Sequence, residues 1–138
     1  MLDVSKVIYS ILNGNAGISA IVGTRIMPFA RISTATTLPA ITYYGTGRER
    51  EANQSSCGGF SIQRVQIDCW ASSYATVVGL ADKVIKALDG YTGTASSVVV
   101  GLIRFENSID MYEQPQADNQ VGIYRVMTEW SFYYTESA

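Results

Sequence analysis

The sequence contains no histidine, and this absence excludes a large share of known chemistry. Ser-His-Asp and Cys-His nucleophile arrangements both need an imidazole, as do the usual histidine-containing zinc sites. The two cysteines cannot supply a four-thiolate metal site, and they are too few for a disulfide framework. The sequence therefore predicts no cofactor and no metal.

Other features are also missing. No apolar run approaches the roughly 20 residues that a membrane span requires, and the N-terminus lacks the basic region of a signal peptide. A net charge of −2 gives no basic footprint for sequence-specific nucleic acid binding. Gly45 and Gly47 are followed by alternating charges and not by a helix with a third glycine, so a phosphate-binding loop is a poor interpretation.

The clearest pattern that is present covers residues 61–88. Its first part alternates apolar and polar residues with the period of a half-buried strand. The pattern then changes to apolar residues at helical spacing, which predicts an amphipathic helix from Tyr74 to Leu88. Ser72 or Ser73 can cap the helix, and Gly90 can end it. We expect this helix to pack back across its own sheet. The apolar strand positions are Val65, Ile67, Cys69 and Ala71.

The N-terminal part predicts a helix that opens at Asp3 or Ser5, a short helical turn at residues 18–22 and a brief extended piece at 25–29. Proline tolerates the first position of a strand, so a strand is expected at residues 39–44. Residues 45–59 are polar and glycine-rich, which predicts a long, mobile hairpin loop.

The C-terminal part predicts two long strands, at residues 98–111 and 121–134, that form an antiparallel hairpin. The even positions of the last strand are all strand-forming, and we expect them to lie beneath the helices. An assembly surface is the alternative for this aromatic face. The prediction is one α+β domain over residues 1–138, with two main helices on one face of a largely antiparallel sheet of four to five strands.

A catalytic carboxylate pair is conceivable, for instance Asp68 with Glu106 or Glu129. A mid-strand carboxylate is more often solvated or paired with an arginine across the sheet, and Arg64, Arg104 and Arg125 are available for that pairing. We therefore predict that the protein is not an enzyme, because no group is seen to converge on a reaction centre.

The order and spacing of these segments resemble the tail completion, or tail terminator, proteins of long-tailed bacteriophages. The strongest part is Arg64-Val-Gln-Ile-Asp-Cys-Trp-Ala71 leading into the helix. The strand at residues 38–43, the late segment at 109–113 and the aromatic final strand also match. Each motif alone is chiefly a packing pattern, and the resemblance lies in their sequence along nearly the whole chain.

The resemblance implies a virion protein that assembles in the host cytoplasm and forms a ring, commonly of six subunits, at the head-proximal end of the tail tube. Such a ring ends tube polymerisation and contacts the head-completion proteins, and DNA can pass through its lumen. By analogy, two polar segments become candidate protein contacts, although residues 48–51 could instead be a solvated loop. The candidates are Arg48, Glu49, Arg50, Glu51, Gln114, Gln116, Asp118 and Asn119.

Two alternatives stay open. The chain could be another neck or minor tail protein, which the position of its gene would distinguish. It could also be a small cytoplasmic binding module. The native mass helps to separate this alternative from the ring, because a hexamer would favour the ring.

Overall fold

The computed structural model describes residues 4–28, 37–52, 57–113 and 122–135. These residues form three helices, named α1 to α3, and six strands, named β1 to β6. In chain order the elements are α1 (Ser5–Asn13), α2 (Ala16–Val22), β1 (Ile26–Pro28), β2 (Ala40–Ala52), β3 (Cys57–Ala71), α3 (Tyr74–Leu88), β4 (Gly93–Ala95), β5 (Val98–Glu113) and β6 (Ile123–Thr135).

The strands form one sheet in the order β1-β2-β3-β6-β5-β4. The β1–β2 pair is parallel and the other pairs are antiparallel. The predicted α+β class with a largely antiparallel sheet is confirmed, but the prediction of four to five strands and two main helices was incomplete. The additional elements are short: α2 has seven residues and β1 has three, where a helical turn at 18–22 and an extended piece at 25–29 were expected, and the three residues of β4 were not predicted. Elements of this length carry too few residues to show a period.

Helix α3 has the predicted bounds and packs as its pattern requires. The residues that face the sheet are buried. Tyr74 and Val78 also fall at the apolar helical spacing, but they are exposed. Ser73 is the N-cap residue, but its side chain makes no capping hydrogen bond. Gly90 has a φ of 79°, the left-handed conformation expected just after the helix. The buried positions are Val77, Leu80, Ala81, Val84 and Leu88.

The three helices cover one face of the sheet, here called the helix face. The apolar side chains of β3 and the large rings of β6 lie on it, and Trp130, Phe132 and Tyr134 are almost fully buried. The prediction that this aromatic face belongs to the core is thus confirmed. At the N-terminal end of α1, the backbone N–H of Val4 donates to Oε1 of Gln63 at 3.2 Å, which ties α1 to β3.

Residues 45–59 differ from the expected loop. β2 continues to Ala52 and β3 begins at Cys57, and the two strands pair almost to their ends, with register shifts at Gly45/Gly47 and Arg50/Ala52. Polar composition hid these strands because residues 45–49 are exposed, and exposed strand positions need no apolar side chains. A methyl group at position 45 would lie 2.6 Å from Nε2 of Gln63, so a larger residue there would displace this buried amide. The mobility of this hairpin stays a prediction.

Candidate interaction surfaces

A polar cluster lies on the sheet face opposite the helices, here called the open face. Asp68 of β3 is 2% exposed, and its Oδ2 lies 2.8 Å from an Nη of Arg125 on β6. Nε2 of Gln66 donates to the same carboxylate, and the guanidinium of Arg125 stands 4.7 Å from the ring centroid of Trp70. The indole N–H of Trp70 donates in turn to Oγ1 of Thr42 at 2.9 Å. The expected pairing of Asp68 with an arginine is confirmed; the carboxylate is buried, and Arg125 is partly exposed.

Burial controls the electrostatics of this cluster. Removal from water raises the pKa of the Asp68 carboxyl, and the charge of Arg125 and the hydrogen bond from Gln66 oppose the rise without cancelling it. Nε of Arg125 is buried and has no hydrogen-bond partner among the described residues. Burial likewise raises the pKa of the neighbouring Cys69 thiol, which is fully enclosed and therefore inert.

The structure does not bring Asp68 together with the carboxylates considered as catalytic partners. Glu106 belongs to β5, and β6 separates that strand from β3. An Oε atom of Glu106 accepts a hydrogen bond from Ser131 at 2.9 Å, while Glu129 is exposed and opposite Gln66. Among the residues the structure describes, no group of three or more His, Cys, Asp or Glu side chains could hold a metal ion.

The predicted contact residues fall into two segments. Arg48 and Glu49 lie on β2 and are exposed, and Glu49 forms an ion pair of 2.8 Å with Arg64. Arg50 and Glu51 continue the same strand in the backbone pairing region. The second group, Gln114, Gln116, Asp118 and Asn119, lies outside the described residues.

A further surface, on the edge of the predicted C-terminal hairpin, is the outer part of β5. Every residue from 106 to 113 is exposed, although the strand is fully paired with β6 on one side. On the other side β4 pairs with residues 98–100 and the segment 89–91 bonds to Ile103 and Phe105, so within the described ranges no element covers residues 106–113. Five of the large exposed apolar side chains belong to this strand: Val99, Leu102, Ile109, Met111 and Tyr112.

Three tyrosines meet at the end of this strand. Tyr124 of β6 lies between Tyr112, with ring centroids 4.7 Å apart, and Tyr74 of α3, at 5.8 Å. The Tyr74 hydroxyl donates to Oδ2 of Asp110 at 3.1 Å, and the pKa of this tyrosine is raised chiefly by that hydrogen bond. The even spacing of Tyr124 on β6 and the apolar spacing of Tyr74 on α3 were visible in the sequence, but only the fold shows that the rings share one exposed cluster.

Exposed aromatic rings beside an unpaired strand edge are features of proteins that assemble with other chains. In the described part of the chain, no helix is long and apolar enough to cross a membrane. The architecture and these surfaces together are those of a small α+β assembly protein.

The sequence profile of the tail completion protein gp17 family matches residues 6–130. The chain therefore belongs to this family of phage structural proteins, and its location is the virion. No curated protein gives a significant match in sequence.

Among solved structures, the fold is similar to a chain from the virion of a native gene transfer agent particle. The TM-score is 0.69 at 15% sequence identity, with 93% of this chain and 91% of the other covered. At that identity the likeness shows a shared fold. It also shows that the architecture described above spans nearly the whole of both chains.

Proposed function

We propose that this protein caps the head-proximal end of the phage tail tube as a closed ring of six copies. In this role it ends tube polymerisation and offers a surface to the head-completion proteins. The observation that carries the proposal is the match of the tail completion profile to residues 6–130. The fold agrees with a contact role, because residues 106–113 of its outermost long strand are exposed on both faces.

A closed ring needs a heterologous interface, in which one surface of each copy meets a different surface of the next. The sheet supplies two such surfaces on one body. β5 lies towards one edge of the sheet, and the charged end of β2 lies towards the other. Because both are carried by one rigid sheet, their relative position is fixed by the fold.

The proposed partners are the tail tube protein below the ring and a head-completion protein above it. Arg48 and Glu49 are candidates for contacts with these partners or with the next copy, since both side chains are exposed on β2. The ion pair between Glu49 and Arg64 is solvent-exposed and so contributes little to stability, about 0.5 kcal/mol. Arg64 and Glu49 can therefore exchange partners on docking at small cost.

The decisive experiment is electron microscopy of a phage that lacks this gene, complemented in parallel with the wild-type gene. We expect overlong tubes without heads in the deletion and normal joined tails after complementation. Tails of normal length that join heads normally would overturn the capping role. Tails of normal length that fail to join would instead indicate another neck protein.

A second experiment separates capping from simple binding. Purified protein is added at increasing amounts to polymerising tail tube protein, and tube length is measured. A cap acts at tube ends, so we expect shortening at amounts far below one copy per tube subunit. A binding module with an unrelated ligand would leave the length distribution unchanged.

A further inference from the structure

The outer edge of β5 is unpaired beyond Phe105. β4 stops at the level of Val100, and the segment 89–91 then bonds to the same edge: Gly90 N–H donates to the carbonyl of Ile103, Ile103 N–H donates to the carbonyl of Tyr91, and Phe105 N–H donates to Oδ1 of Asp89. Within the described ranges no further segment pairs with residues 106–113 on that side. The segment 101–113 contains no lysine or proline, the residues that commonly protect exposed strand edges. A register shift between Phe105 and Asn107 bends the strand just before residues 106–113. Such an edge is a template for another strand.

The opposite side of the sheet has a matching edge. β1 pairs with Ile41–Tyr43 only, and no described strand flanks residues 44–52 of β2 on that side. The antiparallel pairs β2–β3, β3–β6 and β6–β5 make β5 run opposite to β2. A neighbouring copy with the same strand direction therefore presents its β2 antiparallel to β5, the more stable pairing.

We infer that residues 108–111 of β5 in one copy pair antiparallel with residues 47–50 of β2 in the next copy, with Arg48 opposite Asp110; neither stretch contains a register shift of its strand. The inference rests on the proposed ring and names the strands that build its subunit contact. The sheet would then continue from copy to copy around the ring.

The faces of the sheet restrict the register. Residues directly opposite one another share a face, and a shift of one residue reverses every side chain. Arg48 pairs with Gln63, which meets Val4 of α1, so Arg48 is on the helix face. Asp110 receives a hydrogen bond from Tyr74 of α3 and is on the same face. A pairing that places Arg48 directly opposite Asp110, here called the Arg48–Asp110 rung, therefore keeps the helices of both copies on the same face of the continuous sheet.

Charge and space favour this register among those that keep the faces matched. Residues 106–113 contain three carboxylates and no basic residue, whereas residues 45–52 contain two arginines. The rung places one of these, Arg48, against Asp110, where an arginine can bond a carboxylate through two parallel N–H groups. It also places the neighbour's Ile41–Tyr43, with β1 attached, beyond residues 106–113 of β5 and not alongside them.

Disulfide trapping in assembled particles tests the register. In a Cys57→Ser background, the pair Glu49→Cys and Ile109→Cys would be directly opposite across the contact, both on the open face. The control pair, Glu49→Cys with Ser108→Cys, shifts one residue and places the second thiol on the other face. Cys69 is buried and does not compete. We expect a ladder of linked chains from the first pair and about tenfold less linkage from the control, because disulfides need close Cβ atoms.

Equal linkage from both pairs, or no linkage in particles that contain the protein, would overturn the inference while leaving the ring proposal intact. Absence of the protein from the head-proximal tail end would overturn the proposed function, and this inference with it. The two failures are therefore distinguishable.

Charge exchange gives an independent readout. Arg48→Asp and Asp110→Arg are each expected to reduce joined particles at least about tenfold, since each places like charges together. The double variant restores opposite charges and should recover most of the loss. Failure of the double variant to improve on either single variant, with all three folded by circular dichroism, would contradict the Arg48–Asp110 rung.

Discussion

β3 and β5 belong to one sheet and are separated only by β6, yet they differ in almost every contact. Along β3, residues 65–71 are buried on both faces, including the polar side chains of Gln66 and Asp68. Along β5, residues 106–113 are exposed on both faces. The comparison shows that β3 contributes to the stability of the domain on both of its faces. Residues 106–113 of β5 contribute little to the core, and their side chains are available to contact other chains.

The largest expected difference comes from the same substitution in the two strands. Ile67 is 0% exposed and Ile109 is 41% exposed. Ile67→Ala should lower the free energy of unfolding by about 3 kcal/mol, because it removes buried methyl groups and leaves a cavity. Ile109→Ala should lower it by less than about 0.5 kcal/mol. Urea unfolding measures both, and comparable losses would contradict the division of roles between the strands.

The next effect concerns the buried ion pair of β3. Arg125→Met leaves the Asp68 carboxylate, 3% exposed in its side chain, without its cation. We expect a loss of about 2 kcal/mol, which is below the range for fully buried pairs because Arg125 itself is 20% exposed.

Asp68→Asn is the matched control for this pair. It relieves the desolvation of the carboxylate and leaves Arg125 over the Trp70 ring, so its loss should be smaller, about 1 kcal/mol. If Asp68→Asn were the more destabilising of the two, desolvation would not be the dominant influence on this carboxyl.

A smaller effect is the contribution of Asp68 to the pH dependence of the free energy of unfolding. Its pKa is raised in the folded state, so the folded chain keeps this proton to a higher pH than the unfolded chain. The stabilising contribution is complete below the unfolded-state pKa and is lost as the pH rises through the folded-state value. We expect wild-type stability to fall relative to Asp68→Asn across that window. Parallel pH profiles of the two proteins would contradict the shift.

The smallest effect is expected at the exposed ion pair of the hairpin. Glu49→Gln removes the partner of Arg64, but the two side chains are 61% and 50% exposed. Solvent screening limits the loss of stability to about 0.3 kcal/mol. A loss above about 1 kcal/mol in urea unfolding would show that the hairpin contributes to the fold as much as a buried strand does.

Sequence reasoning succeeded in segments where the apolar residues follow a single helical or strand period. The bounds of α3 and the inward side of β3 follow from spacing alone, because burial on one face imposes a repeat. The burial of Asp68 and Trp70 on the open face depends on Arg125 and Thr42 across the sheet, and no local pattern encodes those neighbours. The hairpin at residues 45–59 was mistaken for a loop because its strands pair with each other and need no apolar face.

The candidate contacts show the same limit. Polarity and length drew attention to Arg48 and Glu49, which are exposed on a strand as a contact would need. The exposed length of β5 gave no such signal, since Ile109, Met111 and Tyr112 read as ordinary strand formers. Whether a strand of this composition is central or peripheral is decided by its neighbours.

The exposure of residues 106–113 also has an evolutionary consequence. Their side chains contribute little to the core, so replacing them costs the fold little, whereas the buried segment of β3 tolerates few changes. Selection on β5 can therefore follow the surface it meets almost independently of selection for folding. Related chains that share this architecture are expected to diverge most rapidly along this strand, in step with their partners.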